Sequence, residues 1–219
     1  MLREIILTKD GSHSVSIPEM KVTYHSIHGA VQESMHVFIH AGLHYIKDIF
    51  PDGPIHILEV GFGTGLNALL TLQEAATWQR QVHYTSLELF PLEREQALQL
   101  NYADQPYFAT LHTSEWEEDV QVTPFFTLHK KKISLPDFSS VPAFHLVYFD
   151  AFAPAAQPEL WAKEVFEKLR NALFSSGALV TYCSKGDVRR AMQAAGFKVG
   201  KIAGPPGKRE MVRAVNDGR

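Results

Sequence analysis

Glu59-Val60-Gly61-Phe62-Gly63-Thr64-Gly65-Leu66-Asn67 is the stretch that decides the fold. A short apolar run, 55–60, ends in glycines at alternate positions, and a helical pattern over 66–77 follows, so the order is strand, tight turn, helix. Glycines crowded at such a turn let the backbone bend sharply and approach a ligand where a Cβ would collide. A nucleotide-like cofactor is therefore expected there. The pyrophosphate fingerprint is G-x-G-x-x-G. Here the spacing is G-x-G-x-G, with Glu59 two positions before the first glycine. A purely structural turn is the plainer alternative, but Thr64 and Asn67 among these glycines start a helix poorly unless close approach is needed.

Outward from this turn the rhythm continues. A second strand is expected over 82–89, with Pro91 at the first helical position of 92–100. A third strand is read over 107–111, before Ser114-Glu115-Trp116. Then come a fully apolar strand at 144–149, a helix at 158–174, a strand at 177–183 and a helix at 187–195 closed by Gly196. Strands 197–203 and 210–215, joined by Gly204-Pro205-Pro206-Gly207, predict a terminal hairpin. Upstream, the first 24 residues read as a β-hairpin around Asp10-Gly11, and 29–50 as a long amphipathic helix stopped by Pro51-Asp52-Gly53-Pro54. The class is α/β: a Rossmann-like, mainly parallel sheet with a C-terminal antiparallel hairpin and an N-terminal hairpin-plus-helix extension. One structural domain is expected, with 1–53 packed on a core of 54–219 and ligands at the carboxyl ends of the strands.

Composition narrows the function. At 219 residues, 45% hydrophobic and 21% charged, the chain is neither disordered nor fibrous. It lacks a run of ~18 apolar residues, and Met1-Leu2-Arg3-Glu4 does not open a signal peptide, so a soluble, cytoplasmic protein without a membrane partner is expected. The lone Cys183 excludes a disulfide framework and a multi-cysteine metal site. Net charge is −3, which by itself disfavours nucleic acid, yet residues 185–219 carry nine basic and three acidic side chains. That segment is +6 and the remainder −9. A solvated charged face is the plain alternative to a docking surface.

Two carboxylates carry chemistry. Glu88 ends the second strand, 27 residues after Gly61, where it can accept hydrogen bonds from both ribose hydroxyls; a merely exposed strand-end glutamate is the alternative. Asp150 stands at the tip of Phe144-His-Leu-Val-Tyr-Phe-Asp150-Ala-Phe-Ala-Pro154, with Phe152 beside it at the ligand edge. This position resembles the acidic or amide residue with a neighbouring aromatic of amino-methylating enzymes; in such a reaction the nitrogen must arrive neutral and in line with the methyl carbon, and a carboxylate can orient it and take its proton while an aromatic ring stacks on the base. Turn-capping by Asp150 is the plainer reading. Glu115 and Trp116 are placed near an adenine, though Trp116 could equally be packing.

The glycine motif resembles the first motif of class I S-adenosylmethionine (SAM) methyltransferases. Tyr24-His-Ser-x-x-Gly29-Ala30-x-x-Glu33-Ser34-x-His36-Val-Phe38, Leu58 to Asn67, Asp150-Ala-Phe-Ala-Pro-x-x-Gln-Pro-Glu-Leu-Trp161 and Gly204-Pro-Pro-Gly-Lys-Arg-Glu-Met211 together resemble the methyltransferase of tRNA 5-methylaminomethyl-2-thiouridine biosynthesis, across nearly the whole chain. The resemblance implies SAM as donor and the amine of a 5-aminomethyl(-2-thio)uridine at the tRNA wobble position as acceptor. It implies cofactor contacts from Glu59, Gly61, Phe62, Gly63, Gly65, Asn67 and Glu88, closure of the pocket by Glu33 and Ser34, and Asp150 with Phe152 facing the amine. Many relatives are fused to a flavin-dependent oxidoreductase, for which 219 residues leave no room, so a stand-alone form without flavin is expected. Fused relatives tend to have glycine where Ala151 stands.

Other signals weigh less. His36, His40 and His44 share a helix face, but a polar face is simpler than a metal site, and no metal is expected. Cys183 at a strand end could be a nucleophile, though an exocyclic amine needs no covalent enzyme intermediate. Lys130-Lys131-Lys132 could touch RNA or protect a strand edge. In the tRNA reading, Lys208 and Arg209 lie near the active-site mouth and Arg189 and Arg190 reach backbone phosphates. The rivals are a SAM-dependent methyl- or aminopropyltransferase acting on a small amine, and a catalytically silent nucleotide- or RNA-binding module.

Overall fold

The computed structural model describes residues 2–218. Among them, β1 (Glu4–Leu7), β2 (His13–Ile17) and β3 (Val22–Thr23) form a small antiparallel sheet. The expected hairpin thus gains a third strand, added after the turn Pro18–Met20. The main sheet contains β4 (Ile55–Val60), β5 (Val82–Leu87), β6 (Asp119–Thr123), β7 (Phe126–Lys131), β8 (Phe144–Phe149), β9 (Leu173–Thr181), β10 (Lys198–Ala203) and β11 (Glu210–Val215), in the order β10-β11-β9-β8-β4-β5-β7-β6. Neighbours from β7 to β9 are parallel, whereas β6, β11 and β10 pair antiparallel. This is the mainly parallel sheet with a C-terminal hairpin that the pattern predicts. The chain leaves β4 for β5 on one side and comes back to β8 on the other, which opens a crevice at their carboxyl ends.

Alternation along β4 divides two cores. Ile55 and Ile57 face the helical run 30–49 and the helix Leu66–Trp78, while Leu58 and Val60 face the helices Lys163–Ala172 and Gly186–Ala194. The run 30–49 departs from a uniform α-helix: its middle, Met35–His44, is π-helical between α-helical ends. Gly42 lies in that stretch. A Cβ there would stand 2.9 Å from Val180 Cγ2 and 3.3 Å from Tyr148, so the helix presses on the sheet where it has no side chain.

Four expected elements change. The helix read over 92–100 shrinks to Arg94–Ala97, because the Phe90 and Pro91 carbonyls accept from the Arg3 guanidinium (2.6 and 2.8 Å) and do not begin a helix. The strand read over 107–111 is a helix, Phe108–Thr113, whose buried Phe108 and Leu111 are spaced for one face. The helix read over 158–174 divides into a short turn, Pro158–Trp161, and Lys163–Ala172. Its last residues instead begin β9, which starts before the glycine predicted to open it. Among the described residues no helix is long and apolar enough to cross a membrane.

Gly42→Ala is expected to destabilise the fold. Overpacking against a central strand costs about 1–3 kcal/mol, more than the roughly 1 kcal/mol gained in helix propensity. Urea denaturation should show a lower midpoint at unchanged m-value, and a raised midpoint would show that the approach is not tight.

Candidate active site

Three strand ends meet at one cavity of about 930 Å³. Gly61, Gly63 and Gly65 follow β4, all at positive φ (+91°, +51° and +72°), Glu88 follows β5, and Asp150 follows β8. The turn is pinned from below by Gly61 N–H to Leu87 O (2.9 Å) and from the side by Gly63 N–H to Glu88 Oε2 (3.1 Å). The second oxygen of Glu88 accepts from Phe90 N–H (2.8 Å), so this carboxylate is held by the backbone at the cavity wall. At Gly63 a Cβ would stand 2.9 Å from the Tyr24 ring, which makes the turn as close to the N-terminal extension as a glycine allows.

The deepest element is a bridge between carboxylates. Asn67 Nδ2 donates to Asp150 Oδ2 (2.9 Å) and Glu59 Oε1 (3.2 Å), and Ser86 Oγ donates to Glu59 Oε2 (2.7 Å). Glu59 is fully buried, and burial pushes its carboxyl up to about 8. Burial, with Glu33 nearby, pushes Asp150 up to about 7, against the opposing effects of the Asn67 hydrogen bond and the Lys208 ammonium. Asn67 Oδ1 is buried without a partner, in a side chain that lines the cavity. Phe152 lies beside Asp150, its N–H donating to Gln157 Oε1 (3.1 Å) and its carbonyl accepting from Trp161 Nε1 (2.8 Å). Its ring meets that of Tyr24 edge-on, with centroids 5.3 Å apart. Ala151 is not among the positive-φ residues, so this loop does not require the glycine of the fused relatives; its carbonyl accepts from Tyr182 OH (2.9 Å).

Of the residues singled out in the sequence, Gly61, Phe62, Gly63, Asn67, Glu88, Asp150 and Phe152 line the cavity. Gly65 caps the helix Leu66–Trp78 behind it. Glu33 and Ser34 are buried in the helical run 30–49, outside the lining, with Ser34 Oγ unpartnered. Glu115 and Trp116 also stand outside the lining. Trp116 packs on Lys130 Nζ (4.8 Å to the ring centroid), which in turn lies 5.7 Å from the Phe62 ring, so the tryptophan stands behind the glycine turn. Lys130 neither faces RNA nor guards an edge: it is buried on an inner strand and donates to Leu111 O (2.9 Å) and His112 O (3.0 Å). Cys183 is buried and burial pushes its thiol up, the opposite of an activated nucleophile. His36 bonds Ala203 O (2.8 Å) and His44 bonds Glu74 (2.8 Å); among the described residues no three His, Cys, Asp or Glu side chains are grouped to hold a metal ion.

The N-terminal extension contributes Arg3, Ile17, Met20, Tyr24 and His25 to the wall, and the segment 132–136 closes another side. Nothing in their periodicity marks these positions; only Tyr24 and His25 fell within a quoted motif.

A family of S-adenosyl-L-methionine-dependent methyltransferases matches residues 87–217, and the chain belongs to it. The tRNA 5-methylaminomethyl-2-thiouridine biosynthesis bifunctional protein MnmC of Idiomarina loihiensis is 31% identical over 86% of this chain and 34% of its own length. MnmC of Cupriavidus metallidurans is 31% identical over 96% of this chain and 33% of its own length. The chain thus spans about a third of the length of these curated relatives. In fold it is similar to the crystal structure of MnmC2 from Aquifex aeolicus, with a TM-score of 0.82 over 100% of this chain and 72% of that one, at 24% identity.

Gly63→Ala should weaken SAM binding about tenfold, because a left-handed alanine costs roughly 1–2 kcal/mol and its Cβ displaces Tyr24. Isothermal titration calorimetry reads this directly. An unchanged Kd would mean that the ligand does not depend on this turn.

Proposed function

We propose that this chain transfers a methyl group from SAM to the exocyclic amine of 5-aminomethyl(-2-thio)uridine at the tRNA wobble position, giving the methylaminomethyl product. One observation carries the choice of an amine acceptor: Asp150 is fixed at the tip of β8 by Asn67, beside Phe152, and titrates near neutrality at about 7. A carboxylate in that range can orient the incoming neutral amine and take the one proton that the nitrogen loses on methylation at physiological pH. The names of the similar proteins, which state a role in this tRNA modification, support the substrate.

The residues present fit SAM. The glycine turn leaves room for close approach, Glu88 offers a backbone-held carboxylate for a ribose, and the unpartnered Asn67 Oδ1 is an acceptor for an ammonium group. When bound, SAM supplies an electrophilic methyl carbon on a sulfonium. Gly61, Phe62, Gly63, Gly65, Asn67 and Glu88 would hold it, with Glu59 orienting Asn67 from below and Glu33 and Ser34 closing the N-terminal side. Phe152 would position the pyrimidine. Asp150 would orient the neutral amine toward the methyl carbon that SAM supplies and take the one proton the nitrogen loses when the methyl passes to it from sulfur.

tRNA docking would use the basic C-terminal segment, where Lys185 and Arg209 are exposed on the side of the strand carboxyl ends, whereas exposed Lys198 lies at the opposite end of β10. Arg189 and Arg190 lie on the same helix, Arg189 donating to Ser184 O (3.2 Å) and Arg190 paired with Asp187, bonds that phosphates would have to share.

With labelled SAM and tRNA bearing 5-aminomethyluridine, nucleoside mass spectrometry should find the label on that amine. Transfer to a free polyamine without RNA would favour the small-amine reading instead. Asp150→Asn should lower kcat by roughly 10²–10⁴-fold while SAM affinity stays within a few-fold. Collapse of SAM binding would reassign Asp150 to the cofactor.

A further inference from the structure

We infer that Lys208 is a positioning residue for Asp150: it ties the C-terminal hairpin loop to the N-terminal helical run through Glu33, and so sets the charge of the acceptor wall. This rests on the amine-methylating role proposed above. From sequence, Lys208 is expected at the active-site mouth as a tRNA contact; the structure leaves its side chain 34% exposed but turns its ammonium to a buried carboxylate. Its Nζ donates to Glu33 Oε1 at 2.8 Å and lies 3.9 Å from the centroid of the Tyr182 ring, and Tyr182 OH donates to Ala151 O, next to Asp150 (2.9 Å). The Glu33 side chain is only 8% exposed and its other oxygen accepts from Ser26 N–H (2.7 Å).

The loop that carries Lys208 is docked at two further points, one on this helical run and one on the segment just before it. Gly207 (φ +87°) lies against the His28 ring so closely that a Cβ would fall 2.3 Å from it, and His36 Nε2 donates to Ala203 O (2.8 Å). Lys208 is therefore held where it is by backbone geometry, and no long flexible reach is involved.

Electrostatics give this contact its consequence. Around Asp150 stand the carboxyls of Glu33 and Glu59 and the phenols of Tyr84 and Tyr182, with Cys183 adjoining Tyr182; Lys208 is the cation acting on Asp150 itself. Glu33 raises the Asp150 titration and Lys208 lowers it. An ion pair between those two neighbours cancels much of both fields at the acceptor carboxylate, and removing either member unbalances it in a predictable direction.

The test uses the full chain in four forms: wild type, Lys208→Met, Lys208→Arg and Glu33→Gln. In the free protein, ¹³C NMR of the Asp150 carboxyl should show its titration moving up by about one pH unit or more in Lys208→Met, down in Glu33→Gln, and back towards wild type in Lys208→Arg. In methyl transfer, the acidic limb of the kcat profile should move the same way, while KM for tRNA stays within about threefold of wild type. If Lys208→Met does not fold, the opposite sign in Glu33→Gln still decides. An unmoved Asp150 titration, with a raised KM for tRNA and a shallower salt dependence, would overturn the inference and return Lys208 to phosphate binding. The NMR arm needs neither SAM nor tRNA, so an inactive wild type would sink the proposed function and leave this inference standing or falling by its own measurement.

Discussion

The side-chain amide of Asn67 gives its two N–H groups to carboxylates at the ends of two adjacent parallel strands, Glu59 on β4 and Asp150 just past β8. Asn67 stands in the first turn of the helix after the glycine turn, so the bridge also fixes where that helix begins relative to the sheet. Burial pushes both carboxyls up, with Glu33 adding to the effect at Asp150 and Asp150 adding to it at Glu59. The Asn67 hydrogen bond opposes the shift at both carboxyls, and of the two it is Asp150 that lines the cavity. The amide's own oxygen is left buried without a partner, in a side chain that lines the cavity. In the proposed reaction, scaffold, cofactor contact and acceptor chemistry would thus be joined through one residue.

Such a bridge is partly legible in sequence. A glycine turn after an apolar strand, an acid after the next strand and an acid at a third strand tip are local patterns, and the parallel order of β4, β5 and β8 brings Gly61, Glu88 and Asp150 to one edge. The Asn67 link between Glu59 and Asp150 joins residues 83 positions apart in one of its arms, and no spacing rule reveals it. The N-terminal wall is silent for the same reason: Arg3 reaches the carbonyls of Phe90 and Pro91, 87 and 88 positions away, and in doing so prevents the helix that Pro91 otherwise announces.

Short segments were misread where tertiary contacts outweigh local preference. Residues 107–111 are apolar enough for either a strand or a helix. Lys130 from the neighbouring strand donates to the carbonyls of Leu111 and His112 at the end of the helix Phe108–Thr113, stabilising its C-terminus as a cation does. The π-helical middle of the run 30–49 likewise has no signature in its apolar period; its close approach to Val180 at Gly42 is visible only once the sheet is in place.

Charge counting meets the same limit, and for a physical reason. A lysine is worth burying only if its ammonium regains hydrogen bonds or an ion pair, as buried Lys130 does through two carbonyls; Lys208, 34% exposed, is engaged by Glu33 and the Tyr182 face. Arg213 is likewise engaged, with Ala41 O (3.2 Å) and the Tyr45 ring (3.8 Å to the centroid), and Lys201 pairs with Glu210 (2.9 Å). The +6 of the C-terminal segment therefore overstates the charge available to a polyanion. What it does supply is one cation, Lys208, that acts on the Asp150 carboxyl, while Lys185, Lys198 and Arg209 face solvent. A segment that docks a polyanion with one set of cations and sets the state of a buried acid with another would let phosphate binding perturb that acid only through displacement of the Lys208 loop, because the intervening carboxylate, Glu33, is already neutralised from within.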